Sequence, residues 1–454
     1  MTASPGPAAP LLPAQRSKWD AYQRDPEAPN LVISLRLRIR GRLDCAALTT
    51  SLQAVQDAQP ALRATFRPGP GAEPAQQVHP AVPIEFGAAD VAAEAELERS
   101  ATRLAAEVAA RPFRLDRPGA LRALLVRFAA QDHLLVLCFP AIVVDGWSIG
   151  IIISCLESNY RSLTAGQSLV SADHTVEYLH CCHATRLAAD PEGPRATDYG
   201  HWLAGTPRLM LPTDSPYPAR RSVGGAEVRI ELTTAEIEKI LATARLQRTS
   251  PSALLFTAFN VLLARWSGQR RFAVGAVVSG RTRPEALGLV GRFAHMVALP
   301  IDLTGSDTAY EAVDPISLVW WRGHDYHDVP LSSVVGKTGI RTPPGRLPVC
   351  DVAFVHQFPE PSVSVGDQLS IRPEREPTTL SPQDLTLFID PASADSFDVR
   401  LEYRTDLFRE STARAALARF RNILAELTGA PERAETTAFA SAGGTPDMRG
   451  NVDD

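Results

Sequence analysis

Chemistry inside a folded chain needs polar groups held away from bulk water, and residues 134–160 supply them. The stretch reads LLVLCF, PAIVV, DGWS and IGIIISCLESNY. Its first part is a short apolar run of the kind that forms a buried β-strand. Asp145-Gly146 is turn chemistry, because Asp can bond its own backbone and Gly tolerates positive φ. Ser148 can then cap an apolar helix. A buried strand, a turn and a buried helix carry the Asp145 carboxylate into the interior, where a polar group must be paired or used. Ser148 reads as an N-cap rather than a nucleophile, since no histidine stands near it in sequence to activate it.

A second group of reactive side chains is Tyr178-Leu-His-Cys-Cys-His183. His180 and His183 are spaced i, i+3 and can share a helix face. Zinc sites usually draw ligands from two separated pairs, and adjacent residues cannot all point at one ion. The segment therefore reads as a helix, and no metal is expected. The six cysteines (Cys45, Cys138, Cys155, Cys181, Cys182 and Cys350) are scattered, several in apolar runs, which suits small buried hydrophobes better than a disulfide framework.

The elements that must position these groups are legible from periodicity. In 32–40, Ile33, Leu35, Leu37 and Ile39 alternate with Ser34, Arg36, Arg38 and Arg40, the pattern of a half-exposed strand. Asp44 caps a helix over 45–56, and 92–111 reads as a helix stopped by Pro112. Segments 121–128 and 134–139 form a hairpin leading into the Asp145 turn. Beyond a proline-bounded connector at 211–218, strand 226–232 precedes the capping box Thr233-x-x-Glu236. Ser250-Pro251 opens a long apolar helix over 252–266. Strands are expected at 272–278, 349–356, 384–389 and 398–403, with a closing helix over 410–427.

Several segments in order resemble the condensation domains of nonribosomal peptide synthetases. Those domains carry His-His-x-x-x-Asp-Gly, often followed by Trp-Ser; here Asp145, Gly146, Trp147 and Ser148 match, and Pro140 and Ala141 stand at the two histidine positions. LPAQRSKW at 12–19 resembles the family's first segment. In PALRATF at 60–66, Leu62, Arg63 and Phe66 match Arg-His-Glu-x-Leu-Arg-Thr-x-Phe. SGRTRPE at 279–285 matches Ser-Gly-Arg-x-x-Pro-Glu, and GRFAHM at 291–296 resembles Gly-x-Phe-Val-Asn-Thr with His295 at the Asn position. Tyr326-His-Asp-Val-Pro330 resembles His-Gln-Asp-x-Pro. The related heterocyclisation domains carry Asp-x-x-x-x-Asp-x-x-Ser; Asp145 and Ser148 fit its second half, but Pro140 sits where the first Asp belongs.

The resemblance spans about 12–427. It implies an α+β fold with two lobes of the chloramphenicol-acetyltransferase type, each a mixed sheet with helices, forming a pseudo-dimer with a tunnel between lobes. The implied layout is an N-terminal lobe at 12–175, a helix and inter-lobe connector at 176–225, and a C-terminal lobe at 226–428. Residues 1–11 and 429–454 are expected to be disordered. The implied substrate carrier is the phosphopantetheine arm of a peptidyl or acyl carrier protein, with a small-molecule or carrier-bound acceptor and no bound cofactor. In the family the second histidine positions or deprotonates the attacking amine, which Ala141 cannot do, and the motif Asp is structural and pairs with an arginine, for which Arg63 and Arg281 are the candidates.

Three readings stay open. One is an acyl transferase with a relocated base, for which the resemblance singles out His295, or with none. Another is a catalytically silent module that binds carrier proteins or recruits tailoring enzymes. The third is a changed, heterocyclisation-like reaction. No adenylation or carrier segment is evident, and the tail holds only Gly443-Gly444-Thr445 in place of a phosphopantetheine attachment motif, so a free-standing monomer is expected.

Composition fits this picture. A chain of 454 residues can bury a large core in two or more lobes, and 45% hydrophobic with 21% charged residues is ordinary for a globular protein. A net charge of -5 gives no electrostatic reason to expect nucleic acid. No apolar run has the length of a membrane span and no signal peptide opens the chain, so a cytoplasmic protein is expected.

Overall fold

The structure, a computed structural model, describes residues 6–429 apart from 70–72, 93–95, 171, 189, 191, 358–362, 366–368, 375–377 and 394–395. It divides into two compact units: Met1–Ala189 with Ser279–His295 and Glu360–Glu376, and Asp190–Val278 with Met296–Pro359 and Pro377–Asp454. This differs from the expected layout. The first unit runs past 175 because the helix that follows buries Tyr178, Cys181 and Cys182 in its core. It also takes in two later segments, so the connector at 176–225 is not one element.

The first unit runs through β1 (Ala8–Pro10), α1 (Pro13–Arg24), β2 (Val32–Gly41), α2 (Cys45–Ala58), β3 (Ala64–Pro68), β4 (Pro74–Val78), β5 (Glu85–Asp90), α3 (Leu97–Ala110), β6 (Arg122–Ala129), β7 (Asp132–Pro140), α4 (Gly146–Thr164) and α5 (Thr175–Ala188). The chain continues with α6 (Pro194–Leu203), β8 (Gly225–Leu232), α7 (Thr234–Leu246), α8 (Pro251–Ser267), β9 (Arg271–Val278), β10 (His295–Asp302), α9 (Val313–His324), α10 (Leu331–Val334), β11 (Val352–His356), β12 (Val363–Val365), β13 (Leu369–Pro373), β14 (Leu385–Ser393), β15 (Ser396–Arg404) and α11 (Glu410–Thr428). Of these, β12 and β13 join the first unit, whose main sheet among the described residues has the order β12-β13-β2-β7-β6-β5.

The run 134–139 is apolar at every position because both faces of β7 are covered. Leu135, Leu137 and Phe139 enter the main core with α2 and α4, while Leu134, Val136 and Cys138 pack with Ala101 and Ala105 of α3. The half-exposed reading of β2 holds at Ser34 and Arg40, which are exposed, but the same covering changes its middle: Arg36 is buried, and Arg38 lies over the Phe128 ring while bonding Asp132 at 2.6 and 2.7 Å. A small sheet, β1-β4-β3, packs beside this core. It also corrects the expectation of disorder over 1–11, since Ala8–Pro10 pairs with Ala75–Gln77 of β4 and Ala9 is buried. Residues 1–5 and 430–454 lie outside the described residues, as do 93–95 at the start of the helix expected over 92–111.

The second unit is a mixed sheet of order β10-β9-β11-β14-β15-β8 among the described residues, backed by α8, α9 and α11. Local chemistry sets its helix ends as expected. Thr233 Oγ1 accepts from Glu236 N while Glu236 caps in return, and Ser250 Oγ accepts from Ala253 N at 3.1 Å. The connector 211–218 is bound into this unit: Leu211 is in its core and Tyr217 Oη donates to Asp384 at 2.8 Å. Both units are α+β, as expected.

Candidate functional site

The Asp145 turn is bonded from several sides. Asp145, not Ser148, is the N-cap of α4: the helix starts at Gly146, and the Asp145 carboxylate accepts from Ser148 N at 2.9 Å. The same carboxylate accepts from Ser148 Oγ at 2.7 Å, Arg281 Nη2 at 3.0 Å, and the amides of Phe293 and Ala294 at 3.0 Å each. An ionised carboxylate offers about four lone-pair sites, so these donors fill it. Asp145 therefore has no acceptor capacity left for a substrate proton. Ser148 Oγ is equally engaged, receiving Gly291 N at 3.0 Å and Arg281 Nη2 at 3.1 Å while facing Gly291 O at 2.9 Å.

Arg281, not Arg63, is the partner of Asp145. Its Nη1 bonds the carbonyls of Ala286 and Leu289 at 2.5 and 2.7 Å, and its guanidinium carbon lies 4.4 Å from the Phe293 ring centroid. Burial pulls this guanidinium below its ordinary value and Asp145 opposes the shift. The turn before it needs glycine: Gly280 has φ +63, and a Cβ there would sit 2.4 Å from Phe293 O. Arg63 instead joins β4 to the start of α5, donating to His79 O at 2.6 Å and Asp173 at 2.9 Å.

The loop between β7 and α4 is held by its own carbonyls. Pro140 ends β7 opposite Val32, where its missing N–H costs no ladder bond. Ala141 N donates to Leu31 O at 2.7 Å. Arg292 Nη1 donates to Ala141 O at 3.1 Å, and Gln15 Nε2 to Ile142 O at 3.1 Å. Gln15 is itself set by Gln76, which accepts from the buried Tyr178 hydroxyl at 2.8 Å. Both Pro140 and Ala141 are buried.

His295 begins β10, half-buried, with Nδ1 3.3 Å from Phe293 O. It directly follows Phe293 and Ala294, whose amides bind Asp145. Trp147 is half-buried and donates from Nε1 to Leu287 O at 3.0 Å, while Gly146 is exposed at the helix start. The His-Cys-Cys-His segment is divided by α5: Cys181 and Cys182 face the core, and His180 and His183 face outward. Burial pushes the Cys181 thiol up to about 11.

The profile of the condensation domain matches residues 7–441. The chain belongs to the condensation-domain family of nonribosomal peptide synthesis. It is 31% identical over 415 residues to phosphinothricin tripeptide synthetase PhsB of Streptomyces viridochromogenes, covering 89% of this chain and 35% of that protein. It is 29% identical over 404 residues to tyrocidine synthase 2 of Brevibacillus parabrevis, covering 87% of this chain and 11% of that protein. Across eight such relatives the chain spans only 6% to 38% of their length. Among solved structures, the X-domain from teicoplanin biosynthesis in its complex with OxyB aligns with a TM-score of 0.81 at 22% identity, covering 100% of this chain and 98% of that one. The first condensation domain of the calcium-dependent antibiotic synthetase, in complex with substrate analogue 3a, aligns with a TM-score of 0.78 at 18% identity, covering 96% and 100%. The fold is therefore the chloramphenicol-acetyltransferase type.

Within this condensation domain the structure brings Asp145, Ser148 and Arg281 into contact and leaves Arg63 outside. Three residues that hold the motif loop carried no sequence signal of their own: Gln15, Gln76 and Arg292. Gln15 stands in the segment at 12–19, but a glutamine on a short helix does not reveal that it points inward. No helix among the described residues is long and apolar enough to cross a membrane.

Proposed function

We propose that this condensation domain joins a carrier-bound acyl thioester to an amine acceptor, or to an alcohol, without an imidazole at the Pro140–Ala141 positions. The donor rides on a phosphopantetheine arm; the acceptor is a small molecule or a second carrier-bound group. The observation that supports this most is the intact frame: Asp145 accepts from five donors, two on Ser148 of its own turn and three that fix that turn to 279–295, although neither motif histidine position carries a histidine. Orientation of reactants contributes about 7–11 kcal/mol to such a reaction. A general base contributes roughly 10²–10⁴-fold. A frame that keeps orientation can therefore keep most of the rate for an amine that is already neutral. In this reading Asp145, Ser148 and Arg281 position the loop, and His295 is one candidate for proton removal.

The test is reconstitution of the full chain with a loaded carrier protein and an amine. New amide above the uncatalysed rate supports the reading; none across a panel of donors and acceptors overturns it. A second reading, a docking module for a tailoring enzyme, is favoured by the buried pair Pro140 and Ala141, which places no titratable side chain at either motif position. A domain of the same fold was solved in complex with OxyB. Absence of product together with tight co-elution of a tailoring enzyme would favour it.

A further inference from the structure

An amine drawn out of water lies beside the positions where the family carries its histidines. Lys18 stands one helical turn beyond Gln15 on α1 and is half-buried. It lines a cavity of about 10 Å³ with Pro140, Ala141, Ile142, Tyr22 and Phe113. That volume is roughly what one water requires. Its Nζ has a long bond to Asn30 O at 3.4 Å, and among the described residues no carboxylate stands within ion-pair distance. The charged groups around it are few. Arg292 faces it from 279–295 and is occupied with Ala14 O and Ala141 O; on α1 itself Arg16 is paired with Asp20 and Glu73; the Tyr22 phenol lines the same recess. Burial first, and Arg292 second, pull the Lys18 amine down to about 7. A lysine set among Leu31, Val32 and Phe113 without an anion is costly unless it is used.

We propose that Lys18 is the proton acceptor that stands in for the missing imidazole, reaching the attacking amine from the recess under Pro140 and Ala141, directly or through one water. The proposal rests on the acyl-transfer reading above. The acceptor nitrogen attacks the thioester carbonyl carbon as its proton passes to neutral Nζ. The C–N bond forms, the C–S bond breaks, and the ammonium of Lys18 returns the proton to the departing thiolate. The products are amide and free thiol, with no change of oxidation state.

Two measurements on the full chain test it. In the first, the lysines are reductively methylated with ¹³C-formaldehyde and the Lys18 signal, assigned through Lys18→Met, is titrated by NMR. A midpoint near neutrality is expected, and a midpoint at the ordinary lysine value overturns the proposal. In the second, amide formation is followed against pH with an aromatic amine acceptor, which stays neutral throughout. The wild type should lose rate as pH falls through about 7. Lys18→Met should lower the rate by roughly 10²–10⁴-fold and abolish that acid limb. Lys18→Cys should recover both the rate and the limb after alkylation with bromoethylamine. If Lys18→Met keeps the wild-type rate and limb, the proposal fails while acyl transfer stands. If the wild type forms no product with any pair, acyl transfer itself fails and this role with it. Should Lys18→Met not fold, the titration followed with Lys18→Arg as the assignment variant still decides.

Discussion

Asp145→Asn is the sharpest perturbation of the frame. The side chain keeps its shape but exchanges one acceptor oxygen for an NH₂ group. If that group takes the Oδ2 side it points at the amides of Phe293 and Ala294; if it takes the Oδ1 side it points at Ser148 N and Arg281. Either way buried donors lose their acceptor, at about 1–3 kcal/mol for each group. Arg281 also loses its counter-charge, and removing one partner of a buried pair costs about 3–5 kcal/mol in total. These losses overlap, so about 3–5 kcal/mol is the expectation for the first unit, a fall in Tm on the order of 6–20 °C.

The assay is calorimetry combined with amide exchange read by mass spectrometry. Peptides covering 291–295 should lose protection, while those from β14 and β15 in the second unit should not change. Arg281→Met should expose the same peptides, and the double variant should cost less than the two single losses combined by about 0.5–3 kcal/mol, because both remove one shared interaction. Arg63→Met should lower stability without changing exchange at 291–295, since it bonds His79 O and Asp173 instead. A loss under about 1 kcal/mol for Asp145→Asn, with Phe293 and Ala294 still protected, would refute the account of the frame.

Two further outcomes follow. His295→Ala should leave turnover within about threefold if the proton goes to Lys18; a drop of about tenfold or more, measured with the same carrier and amine, would place the base at His295 instead. In the second unit, burial raises the Glu402 carboxyl to about 7, with Arg400 opposing and Glu227 and Asp390 adding to the rise. The unfolded chain releases this proton at the ordinary, lower value, so the folded state binds more protons between the two. The stability it contributes is complete below the ordinary carboxylate value and is lost as pH rises through about 7. Denaturant midpoints should fall across that window, and Glu402→Gln should flatten the slope; an unchanged slope in the variant removes Glu402 as its source.

The sequence made local structure legible where one physical rule decides it. The caps at Asp44, Thr233 and Ser250 have the hydrogen bonds their side chains imply. The run 134–139 forms the buried strand its composition requires. The choice between Arg63 and Arg281 could not be made this way, because both lie far from Asp145 in the chain and only tertiary packing selects one. Arg36 misled for a related reason: its alternation with leucines is that of an exposed face, but α3 folds back over that face. Strand period reports which residues share a side and not whether a later helix covers it. The segments 279–295 and 360–376 likewise follow elements of the second unit in sequence, yet both belong to the first.

The exchange of two histidines for Pro140 and Ala141 looks like the loss of a site when read along the chain. In the fold the same exchange is local. Pro140 needs no N–H at the end of β7, and Ala141 retains its two backbone bonds to Leu31 and Arg292. Leu31, Arg292 and Gln15, all outside the motif, bond backbone groups of Ala141 and Ile142, and Val143 N bonds Pro140 O, so the bonds that hold the loop use backbone groups rather than side chains at 140 and 141. In the proposed acyl transfer, positioning and proton transfer are therefore separable. The first resides in Asp145 and its donors, and the second is free to move to any amine or imidazole that reaches the recess. Lys18 borders that recess directly, whereas the His295 ring lies against the Phe293 carbonyl, and this geometric difference makes the Lys18 and His295 variants opposite in their expected effect.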